Sequence, residues 1–266
     1  MRTVAVVLAG GSGRRFGGSM PKQLQLLAGR TLVEHCVAAF DQAPDVDEVL
    51  VVMAAEFAGE VAGQLRQYRK LTGIVAGGSA RTDSTRQAIA AIAIGTGTGT
   101  GTGARAGTGA SAGTGAPTAT TGGIADCNVL FHDAARPLVD QQIIADCVTA
   151  LGSWQAIGVV VPSSDTIVEV ADGVLGRVLP RESLARCQTP QGFRFSVISR
   201  AYQLADADPG FASISATDDC GVVRRYLPEV PIGAVPGSER NIKVTYPTDL
   251  AIAETLLAQV SAPPAS

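Results

Sequence analysis

Thr3-Val4-Ala5-Val6-Val7-Leu8-Ala9-Gly10-Gly11-Ser12-Gly13-Arg14-Arg15-Phe16 reads as a strand that feeds a glycine loop. Its first six residues are an almost unbroken apolar run closed by glycines, the pattern of a strand buried on both faces of a parallel sheet. The rest of the chain repeats the theme. A helix is expected from about Leu32 to Ala39, with Thr31 and Glu34 spaced as a capping box and Leu32, Val33, Cys36, Val37 and Phe40 on its apolar face. Glu48 to Met53 reads as the next strand and Phe57 to Tyr68 as a second helix. Ile74-Val75-Ala76 precedes Gly77-Gly78, and Thr82 to Ile94 is helical with Ala88, Ile89 and Ile92 inward. Val129-Leu130-Phe131, a helix near Ile143 to Leu151 and the strand Ile157 to Val161 continue the alternation. Such alternation predicts an α/β fold with a Rossmann-like, mostly parallel sheet flanked by helices.

The alternation then breaks. Thr166 to Val170, the turn pair Asp172-Gly173 and Val174 to Leu179 predict a β-hairpin outside the main pattern, a protruding arm over about 163–187. Helices near Ser196 to Ala205 and Pro247 to Val260, with a strand around Val230 to Val235, complete the chain. Trp154 is expected in the core. Residues 95–123 are almost wholly Gly, Thr and Ala, so they offer no face to bury and read as a flexible insertion. The remainder is one domain over 1–261, with 262–266 as a loose tail.

Composition narrows the function. The 266 residues carry 21 Lys plus Arg against 24 Asp plus Glu, a net charge of −3, and only 5% aromatics. A nucleic-acid surface would be basic, and a single-strand platform would need stacking rings. No run approaches a membrane span, and the apolar start is too short for a secretory leader. Five scattered cysteines with no C-x-x-C pair suit a reducing compartment, hence a cytoplasmic protein. With two histidines, His35 and His132, a multi-histidine metal site is nearly excluded.

Ligands of open α/β sheets bind outside the carboxyl ends of the strands. The first such end carries the glycine loop, followed by Pro21-Lys22-Gln23. It is not a P-loop, because no Gly-Lys-Ser/Thr closes it. It is a poor dinucleotide fingerprint, because Phe16 stands where the third glycine should pack helix on strand. Glycines let backbone N–H groups crowd an anion, and Arg14, Arg15 and Lys22 beside them read as polyphosphate ligands rather than a solvated basic patch. Elsewhere the bland readings stand. Asp133 and Arg136 could form a surface ion pair, His132 reads as a structural strand-end residue, Cys220 as a helix-packing thiol, and Arg181 as an exposed arm residue.

Taken together, Ala9-Gly10-Gly11-x-Gly13-x-Arg15-Phe16 with Pro21-Lys22-Gln23 resembles the nucleotide loop of the cytidylyltransferases that make CDP-activated polyols. That family holds the methylerythritol phosphate and ribitol phosphate enzymes. Further blocks agree in order: Gly77-Gly78-x-x-Arg81-x-x-Ser84, His132-Asp133-Ala134-Ala135-Arg136-Pro137, Asp165-Thr166-Ile167, Gln188-Thr189-Pro190-Gln191-Gly192-Phe193, Thr217-Asp218-Asp219 and Asn241-Ile242-Lys243-Val244-Thr245. The resemblance implies a CTP-dependent nucleotidyltransferase with two substrates, CTP and a polyol phosphate. It implies that Ala9, Gly10, Gly11, Gly13, Gly78, Ser79, Arg81 and Ser84 bind the nucleotide, and that Arg15 and Lys22 stabilise the transition state. Asp133 would sit by the ribose and Mg²⁺, and Arg136 by the polyol phosphate. Thr166, Arg181, Thr217 and Lys243 would aim that second substrate, with the arm of a homodimer completing the partner's site.

The implied chemistry is self-consistent. A phosphate monoester is already an anion near neutral pH, so it can attack the α-phosphorus of CTP without a general base. Catalysis then rests on positioning and charge neutralisation. Three departures lean toward the ribitol branch: Leu8-Ala9-Gly10-Gly11, the Val168 and Glu169 that follow Thr166-Ile167, and Cys220 after Asp219. The His132 to Pro137 block leans back toward methylerythritol phosphate. A hexose-1-phosphate nucleotidylyltransferase and a non-catalytic nucleotide sensor are the competing readings.

Overall fold

The computed structural model describes residues 1–11, 16, 20–78, 80–95, 125–211 and 218–261. The loop residues Gly13, Arg14 and Arg15, together with Ser79, Thr217, the insertion from 96 onward and the tail 262–266, lie outside the described residues. The central sheet has seven strands: β1 (Thr3–Ala9), β4 (Glu48–Met53), β5 (Leu71–Ala76), β6 (Asn128–Asp133), β7 (Ala156–Pro162), β10 (Ala185–Arg194) and β11 (Ile232–Pro236). Two short pairs stand apart from it: β2 (Leu26–Leu27) with β3 (Arg30–Thr31), and β8 (Val168–Ala171) with β9 (Val174–Val178). The helices are α1 (Leu32–Gln42), α2 (Ala55–Leu65), α3 (Arg81–Gly95), α4 (Gln141–Ala150), α5 (Phe195–Ala207), α6 (Asp219–Tyr226) and α7 (Pro247–Ser261).

The sheet runs β11-β7-β10-β6-β1-β4-β5, all parallel except β10. Burial explains why β1 is apolar throughout. Ala5, Val7 and Ala9 face the core made with α1, α2 and α4, whereas Val4, Val6 and Leu8 face the core made with α3, α5 and α6. A third, smaller cluster joins Leu27, Leu32, Val244 and Ala253, bringing α7 against β2. Thr31 caps α1 as expected, its Oγ accepting from the Glu34 N–H at 3.3 Å. The Glu34 carboxylate turns instead to Gln67 and Tyr68.

From β1 the chain adds β4 and β5 on one side, then crosses back to place β6 on the other side of β1. This reversal opens a crevice between the carboxyl ends of β1 and β6. It is the feature of the fold that makes a site.

Three sequence expectations change. The arm is shorter than 163–187: its strands span 168–178, and from Ala185 the chain has entered the central sheet as β10. Thr166 precedes the first arm strand. The Asp172-Gly173 turn holds, with φ of 50° and 78°, the left-handed pair that a two-residue hairpin requires. Second, β10 and α6 were not expected. Third, Trp154 is 43% exposed and lies over Gly233, where a Cβ would come within 2.8 Å of the indole.

Candidate active site

The crevice is lined from five segments. The end of β1 and its loop contribute Ala9, Gly10 and Gly11, and a short 3-10 turn (Lys22–Leu24) contributes Lys22 and Gln23. The first turns of α3 contribute Arg81 and Ser84, the end of β6 contributes Asp133, and the segment before α7 contributes Lys243. Eight sequence-predicted residues thus meet in one place: Ala9, Gly10, Gly11, Lys22, Arg81, Ser84, Asp133 and Lys243.

The glycines are needed for close approach. A Cβ on Gly10 would stand 2.7 Å from the Ser84 Oγ, and one on Gly77 would stand 3.0 Å from the same atom. The two glycine loops therefore press together with the start of α3 beneath them. Gln23, part of the loop motif, holds that loop together. It is buried, and its Nε2 donates to the carbonyls of Ala9 and of Gly11 (2.9 Å for the latter). That amide clamps the loop on both sides of Gly10 and fixes the neighbouring Lys22 to the same frame.

Asp133 is the electrostatic centre. Its Oδ1 accepts from Arg81 Nε at 3.3 Å and its Oδ2 from Lys243 Nζ at 2.6 Å. Burial alone would raise its carboxyl, but Arg81, Lys243 and Arg136 outweigh that and hold it well below the usual carboxylate range. Asp133 pairs with Arg81 and Lys243, so the bland reading of a surface ion pair with Arg136 does not hold. Arg136 is not at the lining. Its guanidinium is buried and donates to the carbonyls of Asn241 (2.8 Å) and Cys187 (3.2 Å). Together with the Val244 N–H to Ala135 carbonyl bond at 2.8 Å, this ties the Asn241–Val244 segment to the end of β6. Arg136 thereby supports Lys243 from behind.

His132 is structural, as expected, and it steers its neighbour. A carbonyl can only accept, so the contact of 3.0 Å to the Arg136 carbonyl puts the proton on Nε2. Nδ1 then accepts from the Thr189 hydroxyl at 3.1 Å, and that hydroxyl accepts from the Asp133 N–H at 3.1 Å. The imidazole is fully buried, and burial lowers it from 6.5 to about 4. Between those values the unfolded chain takes up a proton that the folded chain refuses. This stabilisation is therefore complete above about pH 6.5 and is lost as pH falls toward 4. The expected loss is about 2 kcal/mol between pH 7.5 and pH 5. Urea unfolding at the two pH values should show it, and His132→Asn should flatten the slope. An equal slope in the variant would exclude His132 as its source.

Among the described residues, Gly78, Thr166 and Arg181 do not line the crevice. Gly78 packs against Asp83, where a Cβ would clash at 2.2 Å. Thr166 and Arg181 are exposed beside the arm, Arg181 donating to the Ser164 carbonyl at 3.3 Å. Gly13, Arg15, Ser79 and Thr217 lie outside the described residues.

The fold and the crevice define a class: an open α/β protein with a cationic, glycine-floored cleft at its topological switch point, suited to a phosphorylated ligand. The family model described as 2-C-methyl-D-erythritol 4-phosphate cytidylyltransferase matches residues 3–99 and 118–259, and this chain belongs to that family. The internal unmatched residues, 100–117, fall within the Gly/Thr/Ala-rich stretch. A relative of that name from Thermobifida fusca is 47% identical over 265 residues, covering 96% of this chain and 93% of its own. A Haemophilus influenzae protein named bifunctional ribulose 5-phosphate reductase/CDP-ribitol pyrophosphorylase is 32% identical, over 96% of this chain and 48% of its own. The solved 4-diphosphocytidyl-2C-methyl-D-erythritol synthase of Anaerococcus prevotii shares the fold, with a TM-score of 0.73 at 21% identity over 97% of this chain and 98% of that one.

Proposed function

We propose that this chain joins CTP and 2-C-methyl-D-erythritol 4-phosphate into 4-diphosphocytidyl-2-C-methyl-D-erythritol and pyrophosphate. The observation that carries this reading is the gathering of Lys22, Arg81 and Lys243 around Asp133 beneath the glycine loop, in a chain of this family. The loop and the start of α3 hold the nucleotide. Lys22, with Arg15, neutralises charge that builds on the phosphates as pyrophosphate leaves. Lys243 faces the incoming phosphate monoester, which needs no base to attack.

A magnesium ion suits the donor set. Among the described residues no cluster of three or more His, Cys, Asp or Glu side chains could hold a metal alone. Magnesium commonly needs only one or two carboxylates beside substrate phosphates. Asp133 would provide the carboxylate, since each oxygen keeps a lone pair beyond its present cation. When bound, the ion would neutralise charge on the triphosphate.

Two copies are proposed to exchange arms, bringing Thr166 and Arg181 to the neighbour's cleft. Exposed Val170, Val174, Leu175 and Val178 on the arm, each more than 60% accessible, support this. A cytoplasmic location is supported by five free cysteines, and no helix among the described residues is long and apolar enough to cross a membrane.

Ribitol 5-phosphate is the second reading, favoured by the Haemophilus relative and by the three sequence departures. Pyrophosphate release from CTP and Mg²⁺ should run at least about tenfold faster in kcat/KM with methylerythritol phosphate. The reverse preference would make the chain a CDP-ribitol former, and no release with either would turn the search to hexose 1-phosphates.

A further inference from the structure

Asp218 and Asp219 do not line the cleft, yet Asp219 is the most completely enclosed carboxylate among the described residues, at 0% exposure. The Asp218 side chain caps α6, accepting from the Gly221 N–H at 2.8 Å. Asp219 turns inward. Its Oδ1 accepts from the Thr85 hydroxyl at 2.9 Å and the Tyr202 hydroxyl at 2.7 Å, while its Oδ2 accepts from Arg81 Nη1 at 2.7 Å. Gln191 Oε1 accepts the Asp219 backbone N–H at 3.1 Å, so the residue is held from α3, α5 and β10 at once.

The consequence falls on Arg81. A guanidinium facing a single carboxylate tends to close on it through two parallel N–H···O bonds. Here that does not happen: Asp219 takes Nη1 by the shorter bond, and Asp133 receives only Nε at 3.3 Å. Nη2 is buried and has no hydrogen-bond partner among the described residues. A buried donor without an acceptor is costly, and such groups usually mark a place where a ligand or water supplies the acceptor. Arg81 lines the cleft, with Nη2 packed beneath the surface of its guanidinium.

We propose that Asp219 is a positioning residue that holds the Arg81 guanidinium turned away from a two-bond pair with Asp133, and so sets its orientation in the nucleotide cleft. This rests on the cleft being the CTP site. Two carboxylates dividing one guanidinium also leave Asp133 more exposed to Lys243 and to substrate than a closed pair would. Asp219 touches no substrate and acts only through Arg81. A purely structural Asp219, tying α6 to α3 and α5, would behave differently under substitution.

The test compares the intact protein with Arg81→Met, with Asp219→Asn, with the two combined, and with Tyr202→Phe, in steady-state pyrophosphate release. Removing both buried charges together is far gentler on folding than removing one, so the double variant carries the test even where Asp219→Asn alone does not fold. Arg81→Met is expected to lower kcat/KM for CTP about 100-fold. With Arg81 present, Asp219→Asn should lower kcat/KM by about tenfold or more, and a folded Asp219→Asn variant within about twofold of the unaltered protein overturns the inference. Added to Arg81→Met it should change kcat/KM by less than about threefold, with the same division between KM and kcat, because no guanidinium remains to be held. Tyr202→Phe should lower the Tm yet keep kcat/KM within about twofold of the unaltered protein, because the Asp219–Arg81 contact survives. A further loss of about tenfold or more in the double variant, beyond Arg81→Met, overturns the inference. So does a Tyr202→Phe loss of that size. No pyrophosphate from the unaltered protein would remove the CTP reading itself, and this inference with it.

Discussion

Lys22→Ala is expected to abolish turnover while leaving CTP bound. Lys22 stands half-buried at the mouth of the cleft, on a turn whose next residue, Gln23, is clamped to the Ala9 and Gly11 carbonyls. Its backbone thus adjoins a fixed frame. In the ground state the triphosphate charge is already spread over solvent and neighbouring cations. As the bond to pyrophosphate breaks, charge gathers on the leaving group, and a preorganised cation gains most at that moment. A kcat lower by about 10³-fold, with the CTP Kd changed by less than about fivefold, is the expected pair of results. Equilibrium CTP binding and single-turnover pyrophosphate release measure the two separately. Parallel losses in binding and turnover would make Lys22 a plain ligand of the nucleotide. A protein with CTP affinity and no turnover to lose would be a sensor rather than a catalyst.

Asp133→Asn should damage stability and activity together. The carboxylate balances Arg81 and Lys243, and the amide would leave both cations facing a neutral group. Breaking a buried pair costs about 3–5 kcal/mol, but Lys243 is 41% exposed and water takes over part of its share, so about 2–4 kcal/mol is expected here. Activity should fall by about 10² or more in kcat/KM, because Arg81 and Lys243 lose their common anchor. The acid response supplies an independent check. A carboxyl held below its ordinary 3.8 stabilises the fold above that value, and the contribution is lost as pH falls through the folded-state titration. The Asn variant should therefore lose less stability than the parent on going from pH 5 to pH 3. Urea midpoints across that range decide it, and an unchanged midpoint at neutral pH would show that Asp133 balances nothing.

Much of this cleft was legible in the letters because local physics specifies it. A doubly buried parallel strand must be apolar throughout, so Thr3 to Leu8 declared β1. The loop after it had to be glycine, because Gly10 meets Ser84 at a distance that no side chain could share. Asp172-Gly173 announced its turn through the left-handed backbone that both residues adopt. Family resemblance then named Lys22, Arg81, Ser84, Asp133 and Lys243, and the fold brings these together from four segments of the chain.

What lay beyond the sequence is polar and buried. β10 reads Gln188-Thr189-Pro190-Gln191, with none of the periodicity of a strand, yet those side chains are buried. Each is satisfied from a distance: Gln188 by Ser238 and Asn241, Thr189 by His132 and the Asp133 N–H, Gln191 by Asp218 and Asp219. A hydrophobic pattern cannot encode such partners, because a buried polar group is tolerable only when a specific remote group completes it. The same reason ties Arg136 to the backbone carbonyls of Asn241 and Cys187, and put Asp219 behind Arg81 across 138 positions of sequence. The sequence by itself determined the apolar strands, the glycine loop, the turn and the roster of charged residues, since these follow from local sterics and burial. Only the tertiary structure decided which charges face one another, because Coulomb and hydrogen-bond energies depend on distances that the chain sets by folding.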